Sequence, residues 1–67
     1  MTPAYIDFLK QGIEVNDEVL VLGKYEGTFT SLEGDRAIVY CPEYNEKEPW
    51  LITHISNVVL LHKRVSN

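Results

Sequence analysis

Cys41, His54 and His62 have the side chains best suited to catalysis or metal binding in this 67-residue chain. A cysteine beside a histidine can act as a nucleophile, and all three side chains can bind a metal ion. Cys41 falls on the inward register of a predicted strand, and free cysteine is among the most buried residue types. The three residues also lack the close Cys or His pairs of a structural zinc site. We therefore expect a structural thiol without a catalytic or metal-binding role.

A polar loop between Pro42 and Pro49 is a second candidate site, because its carboxylates could bind a cation. The spacing and the glycine of a calcium-binding loop are absent, so we expect a solvated acidic loop. A glycine-rich phosphate loop is not predicted either, because Gly23 and Gly27 precede a strand and not a helix. We expect no enzyme activity, no cofactor and no metal. The acidic residues of the loop are Glu43, Glu46 and Glu48.

Three aromatic residues, Tyr25, Tyr44 and Trp50, indicate a surface for binding another protein. Exposed tyrosine and tryptophan frequently anchor interfaces, and an acidic rim would steer a basic partner towards them. In the alternative interpretation, Trp50 belongs to the core and Tyr44 packs only against its own loop. The predicted partner-binding residues are Tyr25, Glu26, Glu43, Tyr44, Glu46, Glu48 and Trp50.

Charge and composition restrict the classes of partner. The net charge is −4, from six basic and ten acidic residues, which argues against tight binding to nucleic acid or to an anionic membrane. A protein with a basic surface remains compatible with this charge. The single cysteine favours a reducing cytoplasm. The N-terminus lacks the pattern of a signal peptide, and no apolar run approaches the ~20 residues that cross a bilayer.

The elements that must position these residues are one short helix and five strands. Pro3 suits the first position of a helix over about residues 3 to 11, Thr2 could cap it, and Gly12 fits its end. The first strand alternates valine and leucine from Val19 to Leu22, so we expect it to be covered on both faces. The helix would then pack as a lid on the outward-facing residues of the strands, or alternatively dock on another chain. That outward set is Leu20, Leu22, Ile38 and Tyr40.

The remaining strands are separated by turn signals. Gly34 can adopt a positive φ in the tight connection between the second and third strands. The polar loop precedes the fourth strand, and a short turn over residues 55–57 precedes the fifth. The predicted strands are Gly27–Leu32, Arg36–Cys41, Trp50–His54 and Val58–His62.

The pattern Asp17-x-Val19-x-Val21, followed by a strand that begins at Gly27, resembles the KOW-type branch of the SH3-like barrels. The segment from Ser56 to Val59 also resembles the 3₁₀ turn that enters the last strand of these domains. The resemblance implies an all-β, five-stranded SH3-like barrel with a short N-terminal α-helix. The single domain would span residues 1–67, with a helical lid at 1–13, the barrel at 15–62 and a frayed tail at 63–67.

The same resemblance bears on the predicted surface and on function. In SH3-like barrels the first long loop lies near the connection before the fourth strand, which implies that Tyr25 neighbours Tyr44 and Trp50. The paired tyrosines and tandem tryptophans of proline-binding SH3 domains are absent. We predict a non-enzymatic protein-binding module that acts as an accessory or regulatory subunit. The alternatives are a KOW-like RNA- or DNA-associated module, and an acidic phage-type modulator that blocks a nucleic-acid-binding protein.

Overall fold

The structure, a computed structural model, describes residues 3–64 and contains one α-helix and one five-stranded antiparallel sheet. The strand order across the sheet is β4-β3-β2-β1-β5. This confirms the predicted mainly β structure with one short helix, while the proposed cap Thr2 lies outside the described residues. The elements are α1 (Pro3–Gln11), β1 (Glu18–Val21), β2 (Tyr25–Glu33), β3 (Arg36–Tyr40), β4 (Trp50–His54), the 3₁₀ helix η1 (Ile55–Asn57) and β5 (Val58–His62).

Two glycines explain the path of β2. Gly34 has φ +60°, so the connection to β3 uses a conformation that L-residues rarely adopt. Gly27 lies inside β2, where an added Cβ would be 2.6 Å from Val39 Cγ1, so only glycine fits without a shift. β2 begins at Tyr25, two residues before its predicted start, because Tyr25 pairs with Val21 across the first hairpin.

The hydrophobic core lies on one face of the sheet, which we call the inner face. Ala37, Val39 and Cys41 are fully buried there, as the alternation along the third strand predicted. Phe8 of α1 packs on the same face, with its ring centroid 5.7 Å from that of Phe29. The buried apolar residues are Phe8, Val19, Val21, Phe29, Ala37, Val39, Cys41, Leu51, Ile55 and Val58.

The position of α1 corrects the predicted docking site of the helix. The helix packs against η1 and β5, and Phe8 reaches Phe29 on the inner face. The outward-facing residues on which the helix was predicted to pack therefore lie on the opposite side of the sheet, and the helix does not cover them. Leu22 and Tyr40 remain 40% and 41% exposed. The first strand is accordingly buried on one face only, not on both as predicted.

A buried carboxylate, Asp17, fastens the chain that follows β5. It accepts hydrogen bonds from Lys63 Nζ and the Arg64 amide, both at 2.8 Å, and from the Glu14 amide at 2.9 Å. The bond from Lys63, followed by those from the two amides, lowers the pKa of Asp17 to about 2, although burial opposes the shift. Lys63 also lies 2.9 Å from the Glu14 carboxylate. Lys63 and Arg64, predicted to fray, are thus held, and residues 65–67 lie outside the described residues.

The outer edge of β5 is covered by the last residue of α1. β5 pairs with β1, and its other side faces the helix. Gln11 Oε1 accepts a hydrogen bond from the Leu60 amide at 2.9 Å. Gln11 Nε2 donates to the Val58 carbonyl at 3.4 Å. One amide side chain therefore pairs with two backbone groups that the sheet leaves free.

Candidate partner-binding surface

The acidic loop between β3 and β4 is shaped by its own hydrogen bonds. The Cys41 amide donates to the Pro49 carbonyl at 2.6 Å and closes the base of the loop. The Asn45 side chain accepts from the amides of Lys47 and Glu48 at 3.0 and 3.3 Å, which forms a turn at the tip. The loop therefore holds its acidic side chains in solvent immediately before β4. The exposed carboxylates are those of Glu43, Glu46 and Glu48.

Two of the predicted aromatic residues form a pair at the side of this loop. The rings of Tyr25 and Tyr44 meet edge to face, with centroids 5.3 Å apart. Tyr44 is exposed and Tyr25 is half-buried. Lys24 Nζ lies 5.1 Å from the centroid of the Tyr25 ring, a distance typical of a cation–π contact. The structure thus places Tyr25, the first residue of β2, against Tyr44 of the acidic loop.

Trp50 belongs to a second aromatic pair, with Tyr40. These residues are cross-strand neighbours in β3 and β4, and their ring centroids lie 5.1 Å apart. Trp50 is 58% exposed, so the alternative that placed it in the core is wrong. Among the described residues, no ring contact joins Trp50 to Tyr25 or Tyr44. The predicted aromatic patch is therefore two separate pairs.

The exposed pair continues into an apolar surface on the outer face of the sheet. Ile38 and Ile52 are the next cross-strand neighbours along β3 and β4. Ile52 is 59% exposed, and Ile38 is half-buried. We call Ile38, Tyr40, Trp50 and Ile52 the outer apolar patch. The sequence predicted the outward register of Ile38 and Tyr40, but it predicted that α1 would cover them, and the placement of Trp50 and Ile52 beside them follows from the β3–β4 register.

A shallow groove next to Tyr40 collects acidic residues from three parts of the chain. Glu26 and Glu43, both predicted site residues, line it together with Glu18 of β1. Glu18 carries no local sequence pattern that marks it as a site residue, and it reaches the groove because it pairs with Thr28 of β2. Glu46 and Glu48 do not line this groove. The groove residues are Glu18, Glu26, Gly27, Thr28, Tyr40, Pro42 and Glu43.

The residues with potential for catalysis have structural contacts. The Cys41 thiol is buried and lies 3.4 Å from the Glu26 carbonyl oxygen. His54 Nδ1 accepts a hydrogen bond from the Ser56 amide, and His54 Nε2 lies 3.4 Å from the Asp35 carboxylate. Within residues 3–64, no three side chains of His, Cys, Asp or Glu are grouped so that they could hold a metal ion.

Comparisons with known proteins add no identification. Protein-family models, curated proteins and solved structures were compared with the chain, and none of them matches it significantly. In residues 3–64 no helix has the length and apolar character needed to span a bilayer.

Proposed function

We propose that this chain is a non-enzymatic protein-binding module that acts as an accessory or regulatory subunit in the cytoplasm. Its partner would present a basic segment to the outer apolar patch and the neighbouring acidic groove. The observation that carries the proposal is the exposed Tyr40–Trp50 pair next to a groove that contains Glu18, Glu26 and Glu43. The buried, unpaired thiol of Cys41 supports a reducing compartment.

We also propose that the fold is an SH3-like barrel. Four consecutive antiparallel strands, a 3₁₀ turn and a fifth strand that returns to pair with β1 support this architecture. The 3₁₀ turn lies at Ile55–Asn57 and overlaps the segment from Ser56 to Val59 that resembles the corresponding turn of SH3-like domains. In this architecture the functional residues lie on an outer face, and not in a closed cleft, which agrees with a binding role.

The proposed contacts combine exposed apolar surface with neighbouring negative charge. Trp50 and Ile52 together offer apolar side chains that are more than half exposed, and burial of such groups drives association. Carboxylates next to the patch would raise the rate of encounter with a basic partner and repel an acidic one. Truncation of an aromatic anchor typically costs at least about 2 kcal/mol of binding. Trp50, the most exposed aromatic residue of the patch, is the expected anchor.

One contact favours a protein partner over the KOW-like association with RNA or DNA. Lys63 and Arg64 are the only adjacent basic residues in the chain. The Lys63 ammonium group is bonded to Asp17 and lies against Glu14, so its charge is already compensated within the domain. Nucleic-acid binding depends on basic groups that are free to neutralise phosphates.

Selection from a displayed library of random peptides would test the proposed function. We expect the wild-type protein to enrich peptides that contain Lys or Arg together with apolar residues. Trp50→Ala should weaken the binding of these peptides by at least about thirtyfold, the equivalent of about 2 kcal/mol. Leu9→Ala, a control at a residue 51% exposed on α1, should bind them as the wild type does. Enrichment without basic residues, or equal binding by Trp50→Ala, would contradict the proposal.

A further inference from the structure

The hydrogen-bonding pattern between β3 and β4 determines which backbone groups of β4 face outward. The Cys41 amide bonds the Pro49 carbonyl at one end of the ladder, and the Ile55 amide bonds the Asp35 carbonyl at 3.0 Å at the other. Hydrogen-bonded and non-hydrogen-bonded pairs alternate along an antiparallel ladder. Counted inward from either end, the pair that contains Leu51 is hydrogen-bonded, and the pairs on either side of it, which contain Trp50 and Ile52, are not.

The same count applies to the whole of β4. The amides and carbonyls of Trp50, Ile52 and His54 point away from β3, towards the outer edge of the sheet. Throughout residues 3–64, no strand pairs with β4 on that side, and no backbone hydrogen bond reaches these three residues from it. A row of unpaired backbone groups is a template for a further strand.

The side chains along this edge indicate the chemistry of the strand that would fit it. Trp50 and Ile52 project from the outer face, so alternate residues of an added strand would lie beside apolar surface. The acidic loop ends immediately before Trp50, with Glu48 two residues away. A Lys or Arg at that end of the added strand would meet Glu46 or Glu48.

We propose that the outer edge of β4 binds an extended segment of the partner protein by strand addition. The segment would carry apolar residues at alternate positions and a basic residue at the end next to the acidic loop. This proposal rests on the proposed function and adds a contact at the edge of β4 to those at the outer apolar patch and the acidic groove. A second copy of the chain fits less well, because each copy carries a net charge of −4.

The test uses the tightest peptide selected by the wild-type protein from the random library. Each peptide bond is N-methylated in turn, which removes one backbone donor and leaves the side chains in place. Strand addition predicts that methylation weakens binding by about tenfold or more at every second residue and little between them. The amide of Ile52 should exchange more slowly with solvent in the complex. The amide of Leu60, already bonded to Gln11, serves as the unchanged control.

The outcomes separate this proposal from the proposed function. A peptide that binds through Trp50 but shows no alternating effect of methylation would overturn strand addition and leave the protein-binding function intact. Failure to select any peptide would overturn both. A dimer in solution that Ile52→Lys dissociates would identify a second copy as the occupant of the edge, and would also overturn the proposal.

Discussion

The sheet ends at β5 on one side and at β4 on the other. At β5, Gln11 bonds the Leu60 amide and the Val58 carbonyl, and α1 packs alongside. At β4, the outward backbone groups have no such cover among the described residues, and Trp50 and Ile52 expose their side chains. An edge that serves only the fold is expected to be blocked against further pairing. This difference is the basis of our proposal that the edge of β4 binds the partner.

The largest expected effect concerns the helix that covers β5. Phe8→Ala should lower the free energy of unfolding by about 3–5 kcal/mol, because the Phe8 ring is buried against Phe29. Leu9→Ala removes an exposed side chain and should change it by less than about 0.5 kcal/mol. Urea denaturation of the two variants makes the comparison. Equal stabilities would show that α1 is not docked on the inner face.

The second prediction concerns Asp17, whose hydrogen bonds to Lys63 and Arg64 hold the chain after β5. The pKa of Asp17 is lowered from 3.8 to about 2, so its contacts stabilise the fold fully above about pH 4. That contribution should disappear as the pH falls through about 2, where the carboxylate is protonated in the folded state. Asp17→Asn should lower Tm at neutral pH and flatten the dependence of Tm on pH between these limits. If the Tm of Asp17→Asn depended on pH as the wild-type Tm does, the stabilising role of the Asp17 carboxylate would be contradicted.

A smaller effect is expected for Gln11, the side chain that covers the edge of β5. Gln11→Ala removes two hydrogen bonds from the edge of β5 and should cost about 1 kcal/mol of stability. Exchange of the Leu60 amide should become faster in this variant. Lys10→Ala, one residue earlier on an exposed position of α1, is the control and should leave that amide unchanged. Unchanged exchange in Gln11→Ala would mean that the helix backbone, and not this side chain, covers the edge.

The smallest change is expected when the β4 surface of the free protein is altered. Trp50 is the only tryptophan and is more than half exposed, so a neutral quencher should reach it easily. Trp50→Ala should leave Tm almost unchanged, because little apolar surface is lost from the core. Fluorescence quenching and thermal denaturation measure the two quantities. A blue-shifted, unquenched emission with a large loss of Tm would assign Trp50 to the core.

Alternation along the chain predicted the strands well and their surroundings poorly. β4 and β5 have their predicted bounds, because apolar residues and turn signals delimit them locally. Alternation also separated Cys41 from Tyr40, but it could not show which face α1 would cover. That choice depends on contacts between Phe8 and residues distant in sequence.

The hydrogen bonds of Gln11 and Asp17 could not be predicted either, because they also join residues that are distant in sequence. Gln11 bonds a residue 49 positions away, and Asp17 bonds Lys63 across 46 positions. Neither polar residue carries a local pattern that reveals its partner. The acidic loop was predicted from composition, whereas the separation of Trp50 from Tyr44 required the strand register.

Residue-resolved hydrogen exchange of the free protein at neutral pH tests most directly whether β4 is the open edge. The Ile52 amide should exchange much faster than the Leu51 amide, which lies in a hydrogen-bonded pair with β3. The Leu60 amide at the opposite edge should be slow, because Gln11 accepts its hydrogen bond. Equal protection of Ile52 and Leu60 would show that the β4 edge is covered, and would contradict the account.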